Sequence, residues 1–315
     1  MVSFLEHHAE GEGLIEIRES LDGRNDSKTK ELEAVDHVII DPHGTLGDVP
    51  LVEGLEEYLR DHDSEQYRRY LAVERDLGMP EFRDELLANI PKSLAISFGI
   101  NRGFTDPNRT PQHALRKIVS NAPEDVRRQL MDQHRRALRA VDEIIGKLKG
   151  KKDLRISLIH STEPYDDADP TVNDLDLSVK ENLDRYVQVR TNVGEGHGPI
   201  IPVCFITGKG DGPTRDDELF RRLFQKRLRA EGIAFSEDKP YATHQGIHKT
   251  SDYMRLFPGQ VNAVDIPRDD LAYGEIHEGT FSLTDSNADP RKVAKMAEYF
   301  SESLRECMKR ARVIG

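Results

Sequence analysis

The stretch HVIIDPHGTLGDVP, residues 37–50, decides the fold. Its apolar, β-branched centre Val38–Ile40 is typical of a short strand that is buried on both faces. A polar turn follows at once, opened by Pro42, His43 and Gly44. In open α/β sheets, binding and catalytic residues gather beyond the carboxyl ends of the strands. The stretch therefore predicts a buried strand that ends at a functional edge of the sheet.

The same pattern recurs along the chain of 315 residues, with helical segments between the apolar runs. The predicted strands are Leu14–Arg18, His37–Asp41, Leu94–Gly99, Leu154–His160, Ile200–Thr207 and Val261–Ile266. This alternation predicts a three-layer α/β/α fold of the phosphorylase/hydrolase type. Its central sheet is expected to be mostly parallel or mixed, with helices on both faces.

Three helices are predicted from apolar spacing and end signals. The first runs from about Pro123 to Lys149, with its proline in the first turn and apolar residues three or four apart. The second covers residues 215–231, capped by Thr214 and ended by Gly232. The third covers residues 290–311 and closes the chain.

The predicted organisation is one catalytic domain with an extension. Residues 1–34 form the N-terminal extension and supply an edge strand, and residues 35–315 form a single α/β domain. Within it, residues 161–198 are acidic and poor in apolar pattern. A connection this long inside a compact domain is usually functional, so a lid-like insertion is predicted, with a plain surface insertion as the alternative.

Composition limits the partners. The formal net charge of −12 disfavours binding to nucleic acid, because an acidic field repels phosphates. No apolar run reaches the length of a membrane-spanning helix, and the first residues lack a signal-peptide pattern, so a cytoplasmic protein is expected. The two cysteines, Cys204 and Cys307, are far apart in sequence, which excludes a disulfide scaffold and an all-cysteine metal site.

Two histidines mark the functional edge. His43 follows one predicted strand and His160 ends another, so their imidazoles are expected to converge. Imidazole with carboxylate suits zinc, and a catalytic zinc uses three protein ligands and one open position. A hydrogen-bonded core histidine is the alternative for each residue taken alone.

A third motif is the Asp-x-Asn-Arg turn at Asp106, Asn108 and Arg109. The guanidinium fork of arginine matches a carboxylate through two hydrogen bonds, and an asparagine beside it can orient a carbonyl. The motif predicts a substrate-binding turn, with a solvated surface turn as the alternative.

The ordered motifs resemble the N-formylglutamate amidohydrolase family and, more distantly, aspartoacylase and the zinc carboxypeptidases. The resemblance covers roughly residues 35–275. It rests on PHGTLGDVP at 42–50, GFTDPNRTP at 103–111, the helix histidine His134, LIHSTEP at 158–164, the glycine turn, helix and Pro-Tyr loop between 207 and 246, and NAVDIPRDDL at 262–271.

The resemblance implies a zinc-hydrolase-like domain, here a metal-dependent amidohydrolase that cleaves a linear amide. The implied partner is a small, carboxylate-bearing amide such as N-formylglutamate, anchored by Arg109. The implied cofactor is Zn²⁺, held by His43, His160 and one carboxylate. Wider relatives place a glutamate three residues after the first histidine, but Leu46 stands there, so Asp48 and the pair Asp61 and Asp63 become the candidate ligands.

The resemblance also implies the catalytic acids. Asp265, on the last strand, is the candidate that moves the proton, and Glu163 is the second candidate. Glu163 also has the His-x-x-Glu spacing relative to His160, so a role as a ligand is the alternative. His244 and His248 lie in the loop before the last strand and are predicted to contact substrate, with metal contact as the lesser alternative.

Two other functions stay open for this sequence. A zinc carboxypeptidase or amidase that acts on a peptide-like substrate would make use of the insertion at 161–198. A metal-free binding protein would keep the fold and the Arg109 pocket without catalysis.

Overall fold

The sheet and its helices are seen in a computed structural model. It describes residues 13–20, 32–43, 52–60, 64–162, 175–191, 201–209, 215–240, 242–271 and 288–314. The candidate site residues Asp48, Asp61, Asp63 and Glu163 and the predicted helix cap Thr214 lie outside these ranges.

The described residues form a seven-stranded mixed sheet in the order β1-β3-β2-β4-β7-β5-β6. The four central strands β3, β2, β4 and β7 are parallel, whereas β1 pairs antiparallel with β3 and β5 pairs antiparallel with β7. The strands are β1 Ile15–Glu19, β2 His37–Asp41, β3 Ser93–Phe98, β4 Arg155–Thr162, β5 Val203–Ile206, β6 Phe235–Glu237 and β7 Val261–Pro267.

Helices cover both faces of this sheet, so the predicted three-layer α/β/α fold is confirmed. The described helices are α1 Leu55–Tyr58, α2 Ser64–Glu74, α3 Met79–Asn89, α4 Glu124–Lys147, α5 Lys180–Thr191, α6 Glu218–Ala230, α7 Lys249–Leu256 and α8 Pro290–Ile314. One apolar layer packs α4 and α7 on the sheet, and the other packs α3, α6 and α8 on its opposite face.

Neighbouring strand residues enter opposite layers. Ile40 joins the layer of α4, while Ile39 joins the layer of α3. Because successive strand side chains point to opposite faces, continuous apolar runs such as Val38–Ile40 are what a sheet covered on both sides requires.

All six predicted strands are present; His37–Asp41 has the predicted bounds, and the ends of the others are shifted by at most three residues. The seventh, β6, escaped prediction because it has three residues, is only half-buried or exposed, and carries no apolar run. The second predicted helix begins later than expected. The side chain of Asp217, rather than Thr214, caps it by accepting a hydrogen bond from the backbone N–H of Phe220. Pro123 stands at the cap of α4 instead of in its first turn.

The predicted insertion at 161–198 contains a helix, α5, packed against α2. Its buried residues Leu183, Tyr186 and Val187 follow helical spacing. The apolar signal is weak because most of the intervening side chains are charged. A third apolar cluster joins α1, α2 and α5 to the loop after β3, beside the carboxyl edge of the sheet. None of the described helices is both long and apolar enough to span a membrane.

A buried histidine ties the central strands together at the other edge. Nδ1 of His37 lies 3.1 Å from Ser93 Oγ, and Nε2 lies 2.8 Å from Ser157 Oγ. Burial, reinforced by the nearby charge of Arg155, lowers the pKa of His37 to about 3. The ring is therefore neutral at pH 7 and bridges β3, β2 and β4.

This bridge predicts a pH-dependent stability. The pKa of His37 is lower in the folded chain than the value of about 6.5 expected after unfolding, so its contribution is complete above pH 6.5 and is lost as the pH falls toward 3. We expect His37→Gln to lower the free energy of unfolding by about 1–3 kcal/mol at pH 7.5. The difference from wild type should shrink by about 1.4 kcal/mol per pH unit below 6.5.

Urea unfolding between pH 5 and pH 8 measures the effect. His113→Gln is the matched control, since His113 is exposed. A His37→Gln deficit that is constant across this pH range would contradict a neutral, buried His37.

Candidate metal centre and binding pocket

Neighbouring parallel strands bring three chemical groups to one edge. His43 lies two residues past β2, His160 lies in β4, and Asp265 lies opposite His160 in the β4–β7 register. The rings of His43 and His160 have centroids 5.0 Å apart, and their Nδ1 atoms are separated by 3.3 Å. The two imidazoles predicted to converge do meet, and both are buried.

The third member of the group is Asp76, which lies just past the end of α2. Its Oδ2 is 3.3 Å from Nδ1 of His43 and 3.4 Å from Nδ1 of His160. The backbone N–H of Asp76 donates to the carbonyl of His43 at 3.1 Å, so the two residues are also joined through the main chain.

The turn that presents Asp76 depends on Gly78. Its φ of +80° lies in the left-handed region, and a Cβ there would approach Cβ of Leu271 to 2.8 Å. The buried guanidinium of Arg268 donates to the carbonyls of Val73 and Arg75 just before the turn. The position of Asp76 is therefore fixed from both sides.

Asp76 is held as a carboxylate. Nη1 of Arg102 donates to Oδ1 at 2.9 Å, and the backbone N–H of Ser161 donates to Oδ2 at 3.1 Å. Burial alone raises the pKa of this carboxyl, but His43, His160 and Arg102 outweigh burial and hold the pKa well below its usual range. One oxygen thus faces both histidines while the other is occupied by Arg102.

Asp106 determines which nitrogen of the His43 ring faces a carboxylate. Its Oδ1 is 2.9 Å from Nε2 of His43, and burial with opposing contributions from His43 and Arg102 leaves the pKa of Asp106 well below its usual range. Because the carboxylate only accepts, Nε2 carries the ring proton and Nδ1 is left with a lone pair. A carboxylate behind a histidine is the usual support of a metal-binding imidazole.

The loop that carries Asp106 is anchored from behind. The carbonyl of Asp106 accepts a hydrogen bond from Nε2 of the buried His134 at 3.0 Å. Asp106 Oδ1 also accepts from the backbone N–H of Asn108 at 2.9 Å. His134, which the sequence placed in the family pattern, therefore acts on the site through the Asp106 backbone.

Asn108 lines the pocket and lies against His160. Its Nδ2 is 3.4 Å from His160 Nε2, and its Oδ1 accepts from Thr250 Oγ1 at 2.9 Å. The backbone carbonyl of Asn108 accepts from the N–H of Lys249. The turn with Asp106 and Asn108 therefore supports both histidines.

The three convergent atoms have the spacing of metal ligands. Nδ1 of His43, Nδ1 of His160 and Oδ2 of Asp76 are 3.3, 3.3 and 3.4 Å apart. At ligand distances of about 2.0–2.2 Å, neighbouring ligands of a tetrahedral zinc lie about 3.3–3.6 Å from each other. Two imidazoles and a carboxylate are also a donor set that zinc accepts. The buried group His43–Asp76–His160 could therefore hold a metal ion.

Asp265 lies beside this group with different electrostatics. Burial raises its pKa to about 6, and the lowering effect of His160 does not cancel it. The nearby carboxylate of Asp76 acts in the same direction as burial. A carboxyl with a pKa close to neutrality can both accept and return a proton, which suits a general acid and base.

A pocket of about 570 Å³ opens over the group. Its polar lining includes Arg102, Arg109, Arg116 and His248 in addition to the metal-binding group. Arg109 makes an ion pair through Nε with Oδ2 of Asp106 at 3.4 Å. Burial, together with Arg109, lowers the pKa of His248 to about 4, so this ring is neutral at pH 7.

The structure places the predicted substrate residues unevenly. Arg109 and His248 line the pocket, while His244 is exposed and lies outside the lining. Arg102, like Arg109, lines the pocket. Lys249 pairs with Asp142, and Arg268 is buried beneath the Asp76 turn.

Sequence reasoning missed Asp76 altogether. It lies in the turn between two helices that carried no prediction, away from any strand end. Its signal is the stretch Asp76-Leu77-Gly78, in which a glycine turn opens a proline-containing helix. That pattern indicates a turn and gives no direct sign of a ligand.

The fold and the site define an α/β protein with a buried His–Asp–His group at the carboxyl edge of its parallel strands. Two solved structures share this fold. The gene product Atu2144 of Agrobacterium tumefaciens has 12% identity and a TM-score of 0.56, over 95% of this chain and 97% of that chain. The N-formylglutamate amidohydrolase of Ralstonia eutropha JMP134 has 13% identity and a TM-score of 0.52, over 93% of this chain and 99% of that chain.

The resemblance inferred from the motifs is therefore confirmed at the level of the fold. No protein-family model and no curated protein sequence matches this chain.

The geometry predicts a graded loss of metal affinity. Asp76→Asn should abolish binding of a divalent ion at this group, because it removes the charge of the carboxylate that could serve as a ligand. Asp106→Asn should weaken binding by about 10- to 100-fold, since it removes the carboxylate behind His43. Asp216→Asn, a buried aspartate that pairs with Arg221, should leave affinity unchanged. Titration of chelator-treated protein against a competing zinc indicator measures all three, and equal affinities would argue against this site.

Proposed function

We propose that this protein is a zinc-dependent amidohydrolase that cleaves the amide of N-acyl amino acids, N-formyl amino acids such as N-formylglutamate among them. The observation that carries the proposal is the tetrahedral spacing of His43 Nδ1, His160 Nδ1 and Asp76 Oδ2. The fold shared with the Ralstonia eutropha N-formylglutamate amidohydrolase supports the same reaction class.

His43, His160 and Asp76 would hold the ion. A zinc ion in such a site supplies Lewis acidity: it polarises a carbonyl and lowers the pKa of water from 15.7 toward about 7. The protein supplies everything else, namely the orientation of the ligands, the placement of the substrate and the transfer of a proton.

Asp265 is placed for the proton transfer. It adjoins His160 in the sheet, faces the pocket and has a pKa near 6. As a carboxylate it accepts a proton from the attacking water. It then gives this proton to the leaving amine nitrogen and returns to its carboxylate form, so that the hydrolysis consumes one water and leaves Asp265 unchanged.

Arg109 anchors the substrate carboxylate. Arg109 lines the pocket and pairs with Asp106 through Nε, so its Nη groups could donate two parallel hydrogen bonds to a substrate carboxylate. The neutral His248 lies beside it. Its Nδ1 accepts from the backbone N–H of His244 at 3.1 Å, so Nε2 carries the proton and can donate to substrate.

Asn108 supports the ring of His160. With Nδ1 of His160 as a ligand, the ring proton would sit on Nε2 and would require an acceptor. Turning the Asn108 amide over would supply its oxygen at that point and keep the bond to the hydroxyl of Thr250, at the loss of the 3.3 Å bond from the backbone N–H of Thr250. Asn108 and Asp106 thus act on the histidines more than on the substrate.

Loss of Asp265 tests the proton transfer. Asp265→Asn should lower kcat for N-formyl amino acids by about 100- to 10,000-fold, because the amide cannot take a proton from water. Zinc content should stay near one per chain. The control is Asp132→Asn, an exposed aspartate on α4. A variant with kcat within threefold of wild type would remove Asp265 from the mechanism.

Loss of Arg109 tests the anchor. Arg109→Met should raise KM by about 10- to 100-fold through loss of charge-assisted hydrogen bonds, and zinc binding should persist. Arg222→Met, an exposed arginine on α6, is the control. Steady-state kinetics with zinc analysis decide the point. If Arg109→Met kept the wild-type KM, a different residue would have to bind the carboxylate.

The proposal as a whole is tested by zinc content and hydrolysis of a panel of N-formyl amino acids, measured together for wild type and His160→Ala. Loss of both in the variant supports it. Wild-type protein that binds no zinc and hydrolyses nothing would leave the fold as that of a binding protein.

A further inference from the structure

One wall of the pocket is apolar. Val73, Leu115, Leu177 and Tyr186 line it, and all four belong to a single apolar cluster beside the carboxyl edge of the sheet. They come from the end of α2, the loop after β3 and the segment that includes α5. A substrate anchored at Arg109 shares the pocket with this wall.

The arginines near the wall form ion pairs with buried carboxylates of the protein. Nη2 of Arg116 lies 2.5 Å from Oε2 of the buried Glu74, and Nη1 of Arg102 lies 2.9 Å from Oδ1 of Asp76. In the part of the chain that the structure describes, Arg109 has a longer ion pair than Arg116 and Arg102: its Nε lies 3.4 Å from Oδ2 of Asp106. Among the pocket arginines in the described ranges, Arg109 is therefore the one held most weakly by an internal carboxylate.

Next to the wall, the buried carboxylate of Glu74 balances the charge of Arg116. Glu74 accepts hydrogen bonds from the hydroxyl of Tyr186 and from Arg116, and it stays buried within the lining. Hydrogen bonds from Ser178 and, to a smaller extent, the charge of Lys117 at the edge of the pocket lower the pKa of Asp176. His248 is uncharged at pH 7, as described above. A second substrate carboxylate on this wall would lose its hydration and face Glu74, with each neighbouring guanidinium already bonded.

We propose that the pocket selects N-acyl amino acids that carry one carboxylate and an apolar or aromatic side chain, and that it selects against dianions such as N-formylglutamate. This inference rests on the proposed function, because it names the substrate class of the same site. The Arg109 guanidinium takes the α-carboxylate, and the Val73–Leu115–Leu177–Tyr186 wall takes the side chain.

The test compares kcat/KM for N-formyl-leucine, N-formylglutamine and N-formylglutamate. Burial of an apolar side chain against the wall should favour N-formyl-leucine over the glutamine compound by about 10- to 100-fold. The glutamine compound should in turn exceed N-formylglutamate by at least about 10-fold, since the two differ only in charge. Equilibrium binding of the three compounds to zinc-loaded Asp265→Asn should give the same order.

Failure of the proposed selectivity and failure of the proposed function give different results in this test. N-formylglutamate equal to or better than N-formylglutamine would overturn the selectivity while the amidohydrolase function stands. No hydrolysis of any of the three compounds would overturn the function, and the selectivity with it.

A substitution in the wall adds an independent measurement. Leu115→Lys places a new cation on the partly buried edge of the wall, and Leu115→Gln is its uncharged control of similar length. Leu115→Lys should raise the glutamate-to-glutamine ratio of kcat/KM by about 10-fold or more, and Leu115→Gln should leave that ratio as in wild type. An unchanged ratio in a Leu115→Lys protein that still hydrolyses N-formylglutamine would contradict a side-chain site at this wall.

Discussion

Three atoms with lone pairs converge at the carboxyl edge of the sheet. The arrangement of the site depends on the proton or cation that these atoms share. Nδ1 of His43, Nδ1 of His160 and Oδ2 of Asp76 approach one another to 3.3–3.4 Å. Such atoms repel unless a proton or a cation is shared among them. The carboxylate of Asp106 already holds the proton of His43 on its far nitrogen. A divalent ion can accept all three lone pairs at once, whereas a shared proton can bridge only two of the atoms.

The sheet makes this convergence possible. β2, β4 and β7 are adjacent and parallel, so the residues at their carboxyl ends share one edge. The two apolar layers hold the strands in register. A shift by one residue would turn every buried side chain to the opposite face. The energy that fixes the histidines therefore comes largely from the packing of residues such as Ile39 and Ile40, far from the chemistry.

Hydrogen bonds to the far side of the two histidine rings fix the orientation of the rings. Asp106 carries the ring proton of His43, His134 holds the backbone of Asp106, and Asn108 faces His160. These residues belong to or contact one loop, the loop that also carries Arg109. A single loop after β3 therefore sets the orientation of both imidazoles and the place of Arg109, the proposed substrate anchor, so that metal binding and substrate binding would be coupled through this loop.

Much of this architecture could be predicted from the sequence because it follows from local patterns. Apolar runs such as Val38–Ile40 predicted six strands, and the polar turns after them predicted where His43 and His160 would meet. The short half-exposed strand Phe235–Glu237 and the charged helix Lys180–Thr191 carry little apolar periodicity, so they escaped prediction.

Asp76 escaped for a different reason. Its place at the site arises from tertiary packing: Arg268 and Leu271, nearly two hundred residues further along the chain, fix the turn that presents it. No pattern within one segment encodes such a contact. The same holds for the pairing of Glu74 with Tyr186 and Arg116, which decides the charge of the pocket.

Anomalous diffraction at the zinc absorption edge, from crystals of zinc-loaded protein, tests the central claim most directly. The account predicts one strong peak between the imidazoles of His43 and His160, within about 2.0–2.2 Å of both Nδ1 atoms and of an oxygen of Asp76. A peak at some other place in the molecule, with these three residues packed against one another and no ion between them, would contradict it.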